Sequence, residues 1–190
     1  MSEGDGGGRL IERRELWQGS VGAFGLETVD LANGRRAELA ILRHPGAAAV
    51  VPFLDREHVV LLRQYRHAAG GTIWEVPAGK LDGGEDPALC AARELQEETG
   101  YRAGRIERTG AIFTTPGFTD EKIWLFSAFD LTPGESAHED HELIQTEVVA
   151  LARALRMIDE GEISDGKTIA ALFLASRRLG GAPVGRLGAA

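Results

Sequence analysis

Apolar and polar residues alternate along much of the first 45 positions, the period-two signature of half-buried strands. Glu15-Leu16-Trp17-Gln18, Phe24-Gly25-Leu26-Glu27-Thr28-Val29-Asp30-Leu31 and the segment from Arg36 to Arg43 read this way. Ala32-Asn33-Gly34-Arg35 carries the Asn-Gly hairpin signal, because that pair tolerates positive φ. The opening is therefore predicted to be a small antiparallel sheet. Ala47 to Leu54 and His58 to Tyr65 are apolar runs parted by polar Asp55-Arg56-Glu57, as expected of two central strands, and a return leads to Pro77. The period then turns helical. Asp86 is a good N-cap, Pro87 suits the first helical position and Gly100 is a natural stop. Ala88, Leu89, Ala91, Ala92 and Leu95 supply the apolar side. Strands are predicted over Arg105 to Thr115 and Lys122 to Leu131, around a turn-rich loop, and a short strand over Glu147 to Leu151. Helices are predicted over Ala152 to Glu160 and from Ser164-Asp165 to Arg178, with Gly180 ending the last. Thr132 to Thr146 is a long polar, acidic loop or lid.

The central helix bears Arg93-Glu94-Leu95-Gln96-Glu97-Glu98. Glu94, Glu97 and Glu98 share one flank, since residues three and four apart are neighbours on a helix. Arg93 can pair with Glu97 at i,i+4 but cannot serve all three carboxylates. A hard divalent cation with oxygen ligands would relieve the rest. A solvated acidic helix face is the competing reading. The preceding loop, Gly79 to Glu85, holds three glycines, which let backbone approach a ligand closely.

The spacing separates these readings. Gly79, Glu85, Arg93, Glu94, Leu95, Glu97, Glu98, Gly100 and Tyr101 stand in a pattern that resembles the Nudix box, GX5EX7REUXEEXGU with U bulky and apolar. Seven specified identities at fixed spacing between Gly79 and Tyr101 make the pattern specific; Tyr101 is an aromatic where an aliphatic is commoner. The chain is identified as a member of the Nudix superfamily. The resemblance implies an α+β fold: the Nudix α/β/α sandwich with a mixed central sheet, here with an N-terminal antiparallel β-sheet. The expected divisions are a disordered tail over 1–8, a β-subdomain over 9–44, the Nudix hydrolase domain over 45–180 and a frayed tail over 181–190. In nucleoside-diphosphate-sugar members a comparable N-terminal sheet helps build a homodimer and can be exchanged between subunits; covering one core face is its other possible role.

Glu75-Val76-Pro77-Ala78-Gly79 resembles a segment of ADP-ribose pyrophosphatases and related nucleoside-diphosphate-sugar hydrolases, and Pro116, sixteen positions beyond Gly100, matches that subgroup's second mark. The resemblance implies hydrolysis of ADP-ribose to AMP and ribose 5-phosphate, or of a related nucleoside diphosphate sugar. It also implies two or three Mg²⁺ or Mn²⁺ ions held by Glu94, Glu97, Glu98 and the Ala78 carbonyl. The general base is expected from the acidic loop, with Glu142 the first choice and Glu139 the second; a solvated acidic loop is the alternative. Arg93 would orient the glutamates and Glu85 would shape the loop. Arg63 and Arg66 end a strand, where cations hold phosphate or simply face solvent; Arg66 matches a substrate-contacting position. Glu75 would lie near the substrate or brace the helix, and Phe118 would stack on a base or plug its loop onto the core. His138 and His141 hint at zinc, but no second ligand group supports it.

Composition narrows the alternatives. At 190 residues there is room for one good core with a small appendage. A net charge of 21 − 29 = −8 gives no nucleic-acid footprint, although a bound metal would still admit a phosphorylated small-molecule substrate. The single cysteine, Cys90, excludes an internal disulfide and is expected to be a packed small apolar residue. No apolar run has membrane-spanning length and no signal-peptide pattern is seen, so a cytoplasmic location is expected. Two rivals stay open: a non-hydrolysing Nudix-type sensor of ADP-ribose or a nucleotide sugar, and a hydrolase specific for GDP-mannose or a dinucleotide. Sensors usually combine an eroded box with a DNA-binding segment; here the box is intact and the helices after it show no clear basic recognition face.

Overall fold

The computed structural model describes residues 7–136 and 143–180. They fall into two compact units: the chain up to Gly46 with Phe113–Lys122, and Ala47–Ile112 with the chain from Ile123 onward. The first unit is built on strands β1 (Gly8–Gly19), β2 (Gly22–Leu31) and β3 (Arg36–Arg43), antiparallel and in that order across the sheet. Asn33-Gly34 forms the β2–β3 turn, where Gly34 takes a φ of 79° and donates to the Leu31 carbonyl at 2.9 Å. Every residue of β1 is exposed, including Leu16 and Trp17. Glu27 on β2 is only 4% exposed. It accepts from Arg13 Nε at 2.8 Å and from Arg43 Nε and Nη2 at 2.8 and 2.5 Å. The Arg43 hydrogen bonds, with help from Arg13, hold its carboxyl below the usual glutamate range although burial opposes them. Arg43 Nη1 also reaches Asp120 at 3.0 Å, and Leu42 N donates to Phe118 O at 2.8 Å, so the 113–122 segment is fastened to β3.

The second unit is a sandwich. One sheet orders β7 (Ala78–Lys80), β4 (Ala47–Pro52), β9 (Lys122–Pro133) and β8 (Tyr101–Phe113); β4 runs parallel to β9 and antiparallel to β7. The other orders β10 (Ile144–Ala150), β5 (His58–Arg66) and β6 (Gly71–Glu75), all antiparallel. All of β4 is buried, and its alternation separates two cores. Ala47, Ala49 and Val51 pack with helices α2 (Leu151–Asp159) and α3 (Gly166–Gly180), through Ala154, Met157, Ala171, Leu172 and Ala175. Ala48 and Val50 pack with Cys90, Ala91 and Leu95 of α1 (Pro87–Thr99) and with Phe126 and Ala128 of β9. Helices thus cover both faces of a mixed sheet, the expected α+β sandwich. Leu95 is fully buried, and Leu95→Ala would cost about 2–5 kcal/mol in transfer and cavity terms.

Several strands differ from the pattern reading: β1 starts at Gly8 rather than Glu15, β9 runs on to Pro133, and β10 starts at Ile144 rather than Glu147. β8 starts at Tyr101, directly after the left-handed Gly100, rather than near Arg105; Gly100 turns the chain at once, and its carbonyl accepts from Gly134 N at 2.5 Å. β7 is too short to show a period, and it pairs Ala78, Gly79 and Lys80 with Ala49, Ala48 and Ala47. The expected tails, apart from Gly7 and Gly8, lie outside the described residues. No helix among the described residues is long and apolar enough to cross a membrane.

Candidate active site

Local chemistry fixes the box helix. Asp86 caps it by accepting from Ala88 N at 2.7 Å, and Pro87 opens it. Gly100, at a φ of 72°, ends it by donating its N–H to Gln96 O at 2.8 Å. These are the ordinary start and stop devices of a helix, each acting within one turn. The apolar side docks on β4, which leaves the charged flank against β7. Arg93 gathers the acids there. Its Nε and Nη2 reach Glu85 at 3.2 and 3.1 Å, and its Nη1 reaches Glu94 at 2.7 Å and Glu97 at 3.0 Å. Nη2 also donates to the Lys80 carbonyl at 3.2 Å. Glu85 in turn accepts from Asp82 N at 3.1 Å, closing the loop before the helix. The Arg93 hydrogen bond holds the Glu85 carboxyl below its ordinary range. Arg93 therefore orients three carboxylates at once.

Glu94 and Glu98 face a single dipeptide from successive turns of α1. A Cβ at Gly79 would fall inside the Glu94 carboxylate, so only glycine leaves that carboxylate where it stands. Glu98, 2% exposed, accepts from Ala78 N at 2.9 Å. Glu97 is turned toward Arg93 with its side chain 39% exposed. Among the described residues no three His, Cys, Asp or Glu side chains converge as a metal cluster. Two carboxylates bracketing one backbone segment nevertheless supply the hard, anionic oxygen donors that Mg²⁺ and Mn²⁺ accept, so the donor chemistry suits such an ion. Cys90, also on α1, is fully buried, with Sγ toward Lys80 O at 3.4 Å. Burial, reinforced by the charges of Glu85 and Glu94, pushes its thiol up to about 12.

Arg66 and Glu75, both expected near substrate, are joined to each other. Arg66 Nε and Nη2 make a bidentate pair with Glu75 Oε1 and Oε2 at 2.8 and 2.9 Å, across neighbouring strands β5 and β6. Glu75 is 2% exposed. Burial alone would raise its pKa, but Arg66 and Lys167 outweigh it and hold the carboxyl below the usual range. The Glu75 hydrogen bonds keep Arg66 charged against the cost of burial, and the charges of Glu75, Glu98 and Asp165 add to this.

The sequence placed the start of α3 near Ser164-Asp165 but gave no sign of its part in the site. Lys167 Nζ contacts Glu75 Oε2 and lies 2.9 Å from Asp165 Oδ2. Asp165 caps the helix by accepting from Thr168 N and Oγ1 at 3.0 and 2.6 Å. Thr168 Oγ1, fully buried, accepts from Val76 N at 3.0 Å. The only local signal was Ser164-Asp165 as a cap; the partners lie far upstream, on and just after β6. Phe118 belongs to the first unit and is 52% exposed. Glu139 and Glu142, the expected general bases, and the histidines His138 and His141 lie outside the described residues.

Comparison with known proteins gives the family and the fold. The chain matches the NUDIX domain over residues 43–172. It is 37% identical to the ADP-ribose pyrophosphatase of Bacillus subtilis (strain 168), over 86% of this chain and 90% of that protein. It is 38% identical to the methanol dehydrogenase activator of Bacillus methanolicus, with the same coverage. A solved structure described as an ADP compounds hydrolase superposes with a TM-score of 0.80 at 22% identity, covering 95% of this chain and 98% of that one, and so shares the fold. With the capped box helix, the Arg93 clamp and the Gly79–Glu94 contact all set on this sandwich, the chain belongs to the Nudix family.

Proposed function

We propose that this Nudix hydrolase cleaves the diphosphate of ADP-ribose, giving AMP and ribose 5-phosphate, or that of a closely related nucleoside diphosphate sugar. The observation that carries the reading is the pair Glu94 and Glu98, held one turn apart against Ala78–Gly79 by the box helix. Nudix hydrolases generally depend on a divalent metal. Here Glu94, Glu98, Glu97 and the Ala78 carbonyl are the proposed holders of two or three Mg²⁺ or Mn²⁺ ions. Metal bound there would offset the diphosphate's charge and lower the pKa of an attacking water. Arg93, bonded to Glu94 and Glu97, orients those two, and Arg66 offers its outer edge to a substrate oxygen while Glu75 fixes its inner edge. Glu142, or failing it Glu139, accepts the water's proton as the P–O bond to the leaving phosphate breaks.

The enzyme is further proposed to work in the cytoplasm as a homodimer formed through the N-terminal sheet. Leu16 and Trp17, each 51% exposed on β1, support the dimer. Cys90, buried and outside any disulfide, fits a reducing compartment.

The test is a product assay with Mg²⁺ across ADP-ribose, GDP-mannose, UDP-glucose, NADH and diadenosine polyphosphates, resolved by chromatography. Preferential AMP release from ADP-ribose is expected. Preference for another sugar nucleotide would keep the chemistry and move the specificity. Tight binding without cleavage would replace the hydrolase with a sensor.

A further inference from the structure

Arg66 uses one edge of its guanidinium on Glu75, through Nε and Nη2. Five N–H donors are available, so the end-on edge, Nη1 with the second proton of Nη2, is left for another acceptor. The side chain is 41% exposed, so Arg66 is not sealed inside the protein. An arginine fork matches phosphate oxygens well. Its charge, however, is set against a buried carboxylate on one side and Asp165 beyond it. Lys167, its side chain 14% exposed, sits between those two acids and touches both. The quartet Arg66, Lys167, Glu75 and Asp165 is neutral. Without Lys167 it carries −1, and both acids act on Arg66 alone.

We propose that Lys167 is a positioning residue for substrate: by neutralising Glu75 and Asp165 at the start of α3, it leaves the outer edge of Arg66 free to bind an anionic oxygen of the diphosphate. This rests on the hydrolase reading above. Lys167 itself touches no reacting atom. Its effect reaches substrate through Arg66, so it belongs to affinity rather than to turnover.

The experiment compares kcat and KM for ADP-ribose in the wild type, Lys167→Met and the double variant Asp165→Asn/Lys167→Met, with melting curves for each. One extra negative charge beside the anion site should raise KM on the order of tenfold in Lys167→Met, less at high salt, while kcat stays within about threefold. The double variant is neutral again, and its KM should return most of the way to wild type. A brace that acted only by packing would leave the double variant no better than the single one, and that result overturns the proposal. So does an unchanged KM in Lys167→Met. Should Lys167→Met fail to fold, the double variant carries the test alone: a KM near wild type supports the proposal, and a tenfold rise rejects it. A wild type that cleaves nothing would reject the hydrolase reading instead, and the same comparison would then be read as Kd for ADP-ribose by calorimetry.

Discussion

Gly79 has no room for a side chain because Glu94 occupies the space where its Cβ would stand. The contact couples the loop to the helix: a side chain at position 79 fits only if the Glu94 carboxylate leaves its place. The φ of Gly79 is not in the left-handed region, so the requirement is one of volume rather than of backbone strain.

Gly79→Ala should therefore push the Glu94 carboxylate off Arg93 and away from Ala78–Gly79. Overpacking of this kind costs about 1–3 kcal/mol, which a protein of this size should survive. If Glu94 holds metal as proposed, its displacement costs more in rate than in stability, and kcat/KM should fall on the order of a hundredfold. Steady-state assays beside a melting curve check this; a variant with wild-type kcat/KM would show that the contact does not serve the site.

Glu27 sets an acid limit on the N-terminal unit. Its folded pKa lies below the ordinary glutamate range, chiefly through Arg43. Its contribution is thus complete above the unfolded value and disappears as the pH falls through the folded pKa. Arg13 and Arg43 are 47% and 37% exposed, so solvent screening limits the contribution to about 1 kcal/mol. In melts between neutral and strongly acid pH, Glu27→Gln should be less stable than wild type at the neutral end. The gap should close in acid. A gap independent of pH would assign the effect to packing.

Cys90 should be chemically silent in the folded protein. Its thiol, pushed up to about 12 beneath a packed helix face, is both protonated and shielded, whereas the thiolate is the reactive form. Labelling by a thiol reagent at mildly alkaline pH should be at least about a hundredfold slower in native than in denatured protein. Fast native labelling would mean that α1 opens readily from β4.

The parts of the molecule that were legible in its sequence are those fixed by near neighbours. Asp86, Pro87 and Gly100 delimit α1 because caps and stops act within one turn, and Arg93 was matched to Glu97 because i,i+4 positions adjoin. Asn33-Gly34 marked its turn for the same reason. Arg93 to Glu85 depends on the path of a loop, and the short β7 exists only because β4 is there to pair with it. The Lys167–Glu75 contact joins positions 92 apart, and nothing near Lys167 announces a buried acid. Phe118 shows the same limit: its carbonyl accepts from Leu42, in a strand far upstream. A local pattern could supply its aromatic character but not the unit to which it belongs.

The proposed hydrolysis depends on the box glutamates of α1, and Glu98 is the most exacting residue to test. Glu98→Gln keeps the size of the side chain and an oxygen that can accept from Ala78 N, while removing the charge. The measurement is AMP release from ADP-ribose with Mg²⁺ by wild type and Glu98→Gln, with melting curves to confirm that both are folded. The wild type should release AMP and ribose 5-phosphate, and the variant should be slower by at least about a thousandfold at nearly unchanged stability. Near-normal turnover in folded Glu98→Gln would mean that the Glu98 charge does not serve hydrolysis.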